Sequence, residues 1–258
     1  MSSISVDIKD HVAVVTLDRP PVNAVDRATF DEIRDAFNGF NDDRDVRVAV
    51  FTAAGDRAFM AGVDLRSLGD RPEDPPASKV IDPARGARDA MWSITDCAVP
   101  VIGAINGPAL GAGIAFAACC DILIASENAT FGTTEINVGL LGASSHLSTL
   151  VGRHKAREMF FTGEVLPASE LYRLGALRAV VPLDELMPSA LELARQLAAK
   201  SPIALRLAKE SMNRVEDLPL KDAYRTEQDY TARLQRFEDA KEARQAYLEK
   251  RDPDWKWR

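Results

Sequence analysis

The chain has 258 residues, 46% of them hydrophobic and 28% charged, and a net charge of -7. That length buries a substantial core, enough for one large domain or a domain with a small appendage, and the composition is that of a soluble globular protein rather than a disordered one. The acidic balance argues against a nucleic-acid partner, which asks for a basic face, and leaves a small anionic ligand open where Lys and Arg gather locally.

Strands recur up to residue 140. The start, MSSISVDIKD, carries neither a basic stretch nor an apolar signal-type run, and no apolar run reaches the roughly 18 residues of a membrane span. In SVDIKDHVAVVTLD, Val6 and Ile8 alternate with polar neighbours, then Ala13, Val15 and Leu17 fall on one face. This predicts a hairpin turning at Lys9 and Asp10. ATFDEIRDAFNGF places Phe30, Ile33, Phe37 and Phe40 on one helical face. VRVAVFTAAG, VPVIGAI and DILIAS are short apolar runs rich in β-branched residues, as in strands buried on both faces. Between the first two of these, residues 67–86 hold four prolines and mixed charge, which reads equally as a lid or pocket wall and as a surface loop.

From residue 144 the texture turns helical. SSHLSTLVGRHKAREMFFTG, SALELARQLAAK, SPIALRLAKESMNRV and DAYRTEQDYTARLQR carry helical spacing, with Ser201 and Pro202 as N-cap and first-turn residue. LRAVVP is the one strand-like piece in this half. Cys97, Cys119 and Cys120 form no CxxC pair and read as small core residues in a reducing compartment. His11, His146 and His154 are too scattered for a zinc cluster. The expectation is a cytoplasmic protein without a membrane partner.

Two stretches bear on chemistry. DRAFMAGVDLRSL (56–68) and NGPALGAGIAFAACCD (106–121) each set a glycine-containing turn after a strand and before an expected helix. Such a turn presents free backbone N–H groups, and a helix start favours developing negative charge. Two turns of this kind on neighbouring strands can aim two donors at one oxygen, an oxyanion hole in which one donor is typically worth roughly 3 kcal/mol of barrier. A single turn of this type is more often structural than catalytic, so the weight rests on the pair.

Taken in order, five segments resemble the crotonase, or enoyl-CoA hydratase/isomerase, family nearly end to end. LDRPPVNAVD is similar to its first coenzyme A-contacting segment, RAFMAGVDLRSL to its first oxyanion turn, and VPVIGAINGPALGAGIAFAACCDILIAS to its second turn and the helix behind it. ATFGTTEINVGL resembles the segment that carries a catalytic carboxylate, and EDAKEARQAYLEKRDPDW the C-terminal helix. The resemblance implies an α/β fold, a spiral of ββα repeats over residues 1–195 with a helical C-terminal region over 196–258 that assembles trimers, often hexamers.

It further implies that the N–H groups of Val63 and Ala112 hold a thioester oxygen. Ala24, Ala61, Asp64 and Leu65 would line the path of the coenzyme A moiety, with Ala61 near the adenine. Arg57, Arg66 and Lys250 would lie near the phosphates, each with solvated surface charge as the plain alternative. Coenzyme A enters as part of the acyl-CoA substrate, with no other cofactor and no metal.

Hydratases of the family use two glutamates. Counting from GAG, the first falls at Ala115 and is absent; the second falls at Glu135, in FGTTE, and is present. One carboxylate beside an oxyanion hole suffices to take a proton α to a thioester and return it at the γ-carbon, so the resemblance implies double-bond isomerisation first. Hydration with an atypical second group, hydrolysis or decarboxylation, and acyl-CoA binding without turnover remain open. Downstream, GLLGASSHLSTLVG departs from the family pattern. His146 lies there, either as a cap or packed residue or as the missing proton group, while Ser144 and Ser145 read as N-caps rather than nucleophiles.

Overall fold

A computed structural model describes residues 2–68 and 77–258. The chain opens with strands β1 (Ile4–Lys9) and β2 (Val12–Leu17) and helix α1 (Arg27–Gly39). Strand β3 (Val48–Ala53), a 3-10 turn at Leu65–Leu68, and helices α2 (Ala77–Ile81) and α3 (Arg85–Thr95) follow. Next come β4 (Val101–Ile105), β5 (Ala109–Leu110), α4 (Ala112–Ala118), β6 (Ile122–Ser126) and β7 (Thr130–Gly132). A 3-10 turn at Glu135–Val138 leads to α5 (Ser144–Val151), α6 (Arg153–Thr162), β8 (Val165–Pro167), α7 (Ala168–Arg173) and β9 (Ala179–Val181). Helices α8 (Leu183–Ala198), α9 (Pro202–Val215), α10 (Leu220–Leu234) and α11 (Glu238–Glu249) complete the chain.

The hairpin expected at the start is present, with its turn one residue later than the sequence reading placed it. Asp10 and His11 both take positive φ, 49° and 68°, the backbone of the primed turn that matches the twist of paired strands. In α1, Asp26 accepts from the N–H of Thr29, and Phe30, Ile33 and Phe37 are buried. β3 and β4 are buried along their whole length.

Six strands form one sheet in the order β1-β2-β3-β4-β6-β9, antiparallel only between β1 and β2. A second sheet, β5-β7-β8, lies beside it. Short pairings continue this second layer through the loops: Met60 bridges Ala109, and Val25 bridges Val63, both in parallel. Each passage through the large sheet is thus followed by a short passage through the second layer and then a helical segment, repeated from β2 to β6. That repetition is the ββα spiral implied by the resemblance.

One face of the large sheet packs Phe51 edge-on against Phe37 and Phe59, with ring centroids 5.5 and 5.3 Å apart. The other face is sealed by Leu186, Ala190, Leu193 and Ala194 of α8 over Val48, Val50, Ile102 and Ile124. α8 begins earlier than SALELARQLAAK suggests and carries Pro188 in its first half. The long helical stretch after residue 144 is broken at Gly152, whose φ of 75° ends α5 before α6 begins. β8 is a strand that the sequence reading missed: three residues, only one of them buried, ending in proline.

Ser201 caps α9 as expected, accepting from the N–H of Ala204 at 3.2 Å. α9 is tied to the spiral by Lys209, which is 5% exposed. Its Nζ donates to the carbonyls of Ile94 and Val99 and to Asp121 Oδ2 at 2.9, 3.2 and 2.7 Å. Lys209→Met leaves the buried Ile94 and Val99 carbonyls without this donor and is expected to lower the unfolding free energy by about 1–3 kcal/mol. Urea unfolding measures this, and Lys209→Met combined with Asp121→Asn recovers part of the loss.

Candidate active site

The segment after β2 and the turn after β3 are strapped together by backbone hydrogen bonds. Ala61 N–H donates to Val22 O at 3.2 Å, Val25 N–H to Gly62 O at 2.9 Å, and Asp64 N–H to Val25 O at 2.8 Å. Asn23, 4% exposed, adds side-chain bonds from Nδ2 to the carbonyls of Ala54 and Ala58 at 3.2 and 2.8 Å. The next turn joins this edge through Leu110 N–H to Met60 O at 2.9 Å. The approach is close: a Cβ placed on Gly113 would lie 2.2 Å from Met60 O.

Both turns need glycine for their backbone. Gly62 takes φ 103°, and Gly111 takes φ 55° with ψ -114°. Gly111 is the N-cap of α4, so Ala112 is its first helical residue, with an N–H that has no acceptor inside the helix. In the other turn, Gly62 O and Asp64 N–H make the bridge to Val25 and leave the N–H of Val63 out. Among the described residues neither Val63 nor Ala112 spends its N–H on a protein acceptor.

Val63 and Ala112 line a common cavity of about 390 Å³. Its floor is small and apolar, from Ala61, Gly62, Gly111, Ala115 and Gly142, and its rim carries Leu65, Met91, Val138, Leu140 and Leu141. Glu135 and His146 are the titratable side chains in this lining. Glu135 starts a 3-10 turn directly after β7. A Cβ on Gly111 would come within 2.8 Å of Glu135 Oε1, and one on Gly142 within 3.2 Å. The carboxylate therefore rests on the backbone of the second turn, and only glycine there leaves it room.

Glu135 Oε2 is buried without a hydrogen-bond partner. Burial pushes the Glu135 carboxyl above its ordinary value, a bond from its own N–H opposing in part. The same burial pushes the His146 imidazole below its ordinary value. Neither group has a charged neighbour that contributes. Ala115, 1% exposed, is in the lining where the resemblance sets a second glutamate, so the absence of a carboxylate is a feature of the cavity itself.

Of the residues expected at the site, the structure gathers Ala61, Val63, Leu65, Ala112, Ala115, Glu135 and His146 around this cavity. Ala24, Arg57, Asp64, Arg66 and Lys250 do not line it. Ala24 is half-buried and its carbonyl accepts from Arg19. Asp64, 8% exposed, turns its carboxylate to Arg66 at 3.0 Å and Arg19 at 3.3 Å, and these hydrogen bonds hold it far below the usual carboxylate range. Arg57 and Arg66 are exposed beside the first turn, and Lys250 is exposed at the end of α11 with φ 53°.

Ser144 and Ser145 are not caps. The N-cap of α5 is Ala143, in the left-handed region at φ 58° and ψ 6°, with no side-chain cap bond. His146 thus sits in the first turn of α5 and faces the cavity rather than capping the helix. The three cysteines are buried; burial raises the Cys119 thiol to about 11 and the other two above their ordinary values as well. Of the proline-rich stretch over 67–86, residues 69–76 lie outside the described residues, and helices α2 and α3 take up much of the rest. Met91 of α3 reaches the cavity, a contribution that sequence reasoning missed.

A family model for enoyl-CoA hydratase/isomerase matches residues 7–258. Among curated proteins, the chain is 39% identical over 239 residues to the (7aS)-7a-methyl-1,5-dioxo-2,3,5,6,7,7a-hexahydro-1H-indene-carboxyl-CoA hydrolase of Mycobacterium tuberculosis, covering 93% of this chain and 95% of the relative. It is 37% identical over 252 residues to the carnitinyl-CoA dehydratase of Salmonella enteritidis, covering 95% and 94%. An enoyl-CoA hydratase structure from Bacillus anthracis superposes with a TM-score of 0.92 at 32% identity, covering 99% of this chain and 100% of that one.

The buried carboxyl of Glu135 has a consequence for stability. With its proton affinity raised in the fold, Glu135 costs nothing while protonated in both folded and unfolded chains, and destabilises the fold as pH rises from the ordinary glutamate value through the raised one. Glu135→Gln is therefore expected to match the wild type below about pH 4 and to be the more stable protein at neutral pH. Thermal melting across that range tests it, and a variant less stable at neutral pH would contradict the burial argument.

Proposed function

The chain belongs to the enoyl-CoA hydratase/isomerase family, and from that premise we propose that it binds an acyl-CoA thioester with the thioester oxygen between the N–H groups of Val63 and Ala112. Those two donors form an oxyanion hole, stabilising the enolate that appears when the α-carbon loses a proton. Glu135 carries that proton. The observation that supports this reading is the position of its carboxylate, against Gly111 beside Ala112, in an apolar cavity where Oε2 has no protein partner.

The raised proton affinity of Glu135 suits the role, because a base is most effective when its pKa approaches the working pH. With Ala115 opposite no second acid, the reaction favoured is double-bond isomerisation. Glu135 takes a proton from C2 of a 3-enoyl thioester, the electron pair delocalises to the thioester oxygen, and the same carboxyl returns the proton to C4 as the double bond moves to C2–C3. One group serves both ends. A second reading, chemistry that uses water, is favoured by the names of the relatives, a hydrolase and a dehydratase.

In this reading Ala24, Ala61, Asp64 and Leu65 border the coenzyme A path, Asp64 by holding Arg66 and Arg19 in place. Arg57, Arg66 and Lys250 supply local positive charge for the phosphates, which lets a protein of net charge -7 take an anionic ligand. We also assign a cytoplasmic location and a homotrimer, or a hexamer built from two trimers, as the working assembly.

The test is hydrogen exchange at C2 and double-bond migration in deuterated water, with 3-enoyl-CoA offered to the wild type and Glu135→Gln. Loss of the proton carrier is expected to slow both by about 10²–10⁴-fold with coenzyme A ester binding kept. Exchange at the wild-type rate in the variant would remove Glu135 from the mechanism.

A further inference from the structure

The Glu135 chemistry leaves one part of the cavity unused. His146, in the first turn of α5, lines the same 390 Å³ space, and among the described residues its ring nitrogens have no protein hydrogen-bond partner. Helix α5 is entered through Ala143, a non-glycine residue at φ 58° that also lines the cavity. Such a conformation is costly and persists where the surroundings impose it, and it is often found at working sites. Here it sets the start of α5, with His146, over the cavity. Ala115 and Gly142 keep the intervening floor free of bulk.

We propose that His146 is a second proton-transferring side chain of this site, accepting a proton from a water molecule as that water attacks a trigonal C3 of the acyl group. The proposal rests on the reading in which Val63, Ala112 and Glu135 handle the enolate. The step balances without an external reactant. The water oxygen bonds to C3, its proton goes to the free imidazole nitrogen, and the displaced electron pair ends in the thioester enolate held by the two N–H groups. With a 2-enoyl thioester the C2–C3 π bond supplies that pair. With a 3-oxoacyl thioester the C3–O π bond opens first, and the C2–C3 σ bond then breaks to give a carboxylic acid and the same enolate. Glu135, entering as the carboxylic acid, gives its proton to C2 in both cases and is left as the carboxylate, and the imidazolium proton returns to it through solvent once product leaves.

Two features support a base at this position. Burial keeps His146 in its neutral, proton-accepting form at neutral pH. The cavity's other polar side chains are Glu135, already assigned to C2, and Thr134, whose hydroxyl is too weak a base at this pH.

The experiment supplies trans-2-enoyl-CoA and 3-oxoacyl-CoA thioesters, the latter both open-chain and cyclic, to the full chain in ¹⁸O-labelled water. Label in the product is read alongside C2 hydrogen exchange in deuterated water on the matched saturated acyl-CoA. The wild type is expected to incorporate ¹⁸O from at least one thioester class. His146→Gln, which keeps a hydrogen-bonding side chain but accepts no proton, is expected to lose about 10²–10⁴-fold of that incorporation with a much smaller loss of C2 exchange. Added imidazole is expected to restore part of it to His146→Ala.

No ¹⁸O incorporation by the wild type from either class would overturn the proposal, and with C2 exchange intact the Glu135 reading would stand alone. Undiminished incorporation by His146→Gln would overturn it too. Parallel loss of exchange and incorporation in both variants would mark His146 as a packing residue. Incorporation that depends on His146 without C2 exchange would support the proposal and sink the isomerase reading.

Discussion

A chain that leaves a buried sheet must still find partners for its backbone N–H and C=O groups, and the spiral is one solution to that constraint. After each long strand the backbone makes a short passage through a second layer and is paired there with the preceding or following turn: Val25 with Val63, Met60 with Ala109, β5 with β7. These pairings fix adjacent turns to one another within hydrogen-bond tolerance, down to the contact of Gly113 with Met60 O. Against this background, the N–H groups of Val63 and Ala112 are exceptions with a shared address. The pairings that hold the two turns together are what bring these two unspent donors to one cavity.

The electrostatics follow a similar division of labour. Close to the first turn, charge is paired: Asp64 is held by Arg19 and Arg66, and Arg19 also reaches Asp26, the cap of α1. That cluster ties the Ala24 carbonyl and the backbone after Val63 together through paired charges. Inside the cavity charge is unpaired and the lining mostly apolar, so burial is the main influence on the protonation of Glu135 and the sole one at His146. The two environments meet at Val63, which lines the cavity while its carbonyl-side neighbour, Asp64, belongs to the charged cluster.

How much of this was legible in the sequence depends on the range of the signal. The second arm of the hairpin, α1 and the buried strands β3, β4 and β6 follow from local periodicity, since each buries residues that its own pattern marks, whereas Val6 and Ile8 of the first arm alternate as expected yet stay exposed. β8 was not legible because three residues with one buried side chain leave no pattern. The break between α5 and α6 hung on the positive φ of Gly152, inside a stretch whose spacing was helical on both sides. At the site, the two glycine turns and Glu135 were legible from their order along the chain. Met91, Val138, Leu140 and Leu141 were not, because a cavity rim is assembled from separate elements and needs apolarity rather than a motif. Ser144 and Ser145 resembled caps by composition, yet the left-handed Ala143 before them moved the helix start and freed His146 for the cavity.

Replacing one of two carboxylates by alanine changes more than the count of acids. Two carboxylates in one apolar cavity would each raise the other's proton affinity. With Ala115 in place, Glu135 is shifted chiefly by burial, upward from the usual glutamate value of 4.5, while burial moves His146 downward from 6.5. The same low-dielectric surroundings therefore bring a carboxylic acid and an imidazole toward one another in proton affinity. Burial disfavours the charged form of each group, and neither repels the other when Glu135 is ionised and His146 neutral. Alanine at 115 thus spares Glu135 the like-charge repulsion that a second carboxylate would bring.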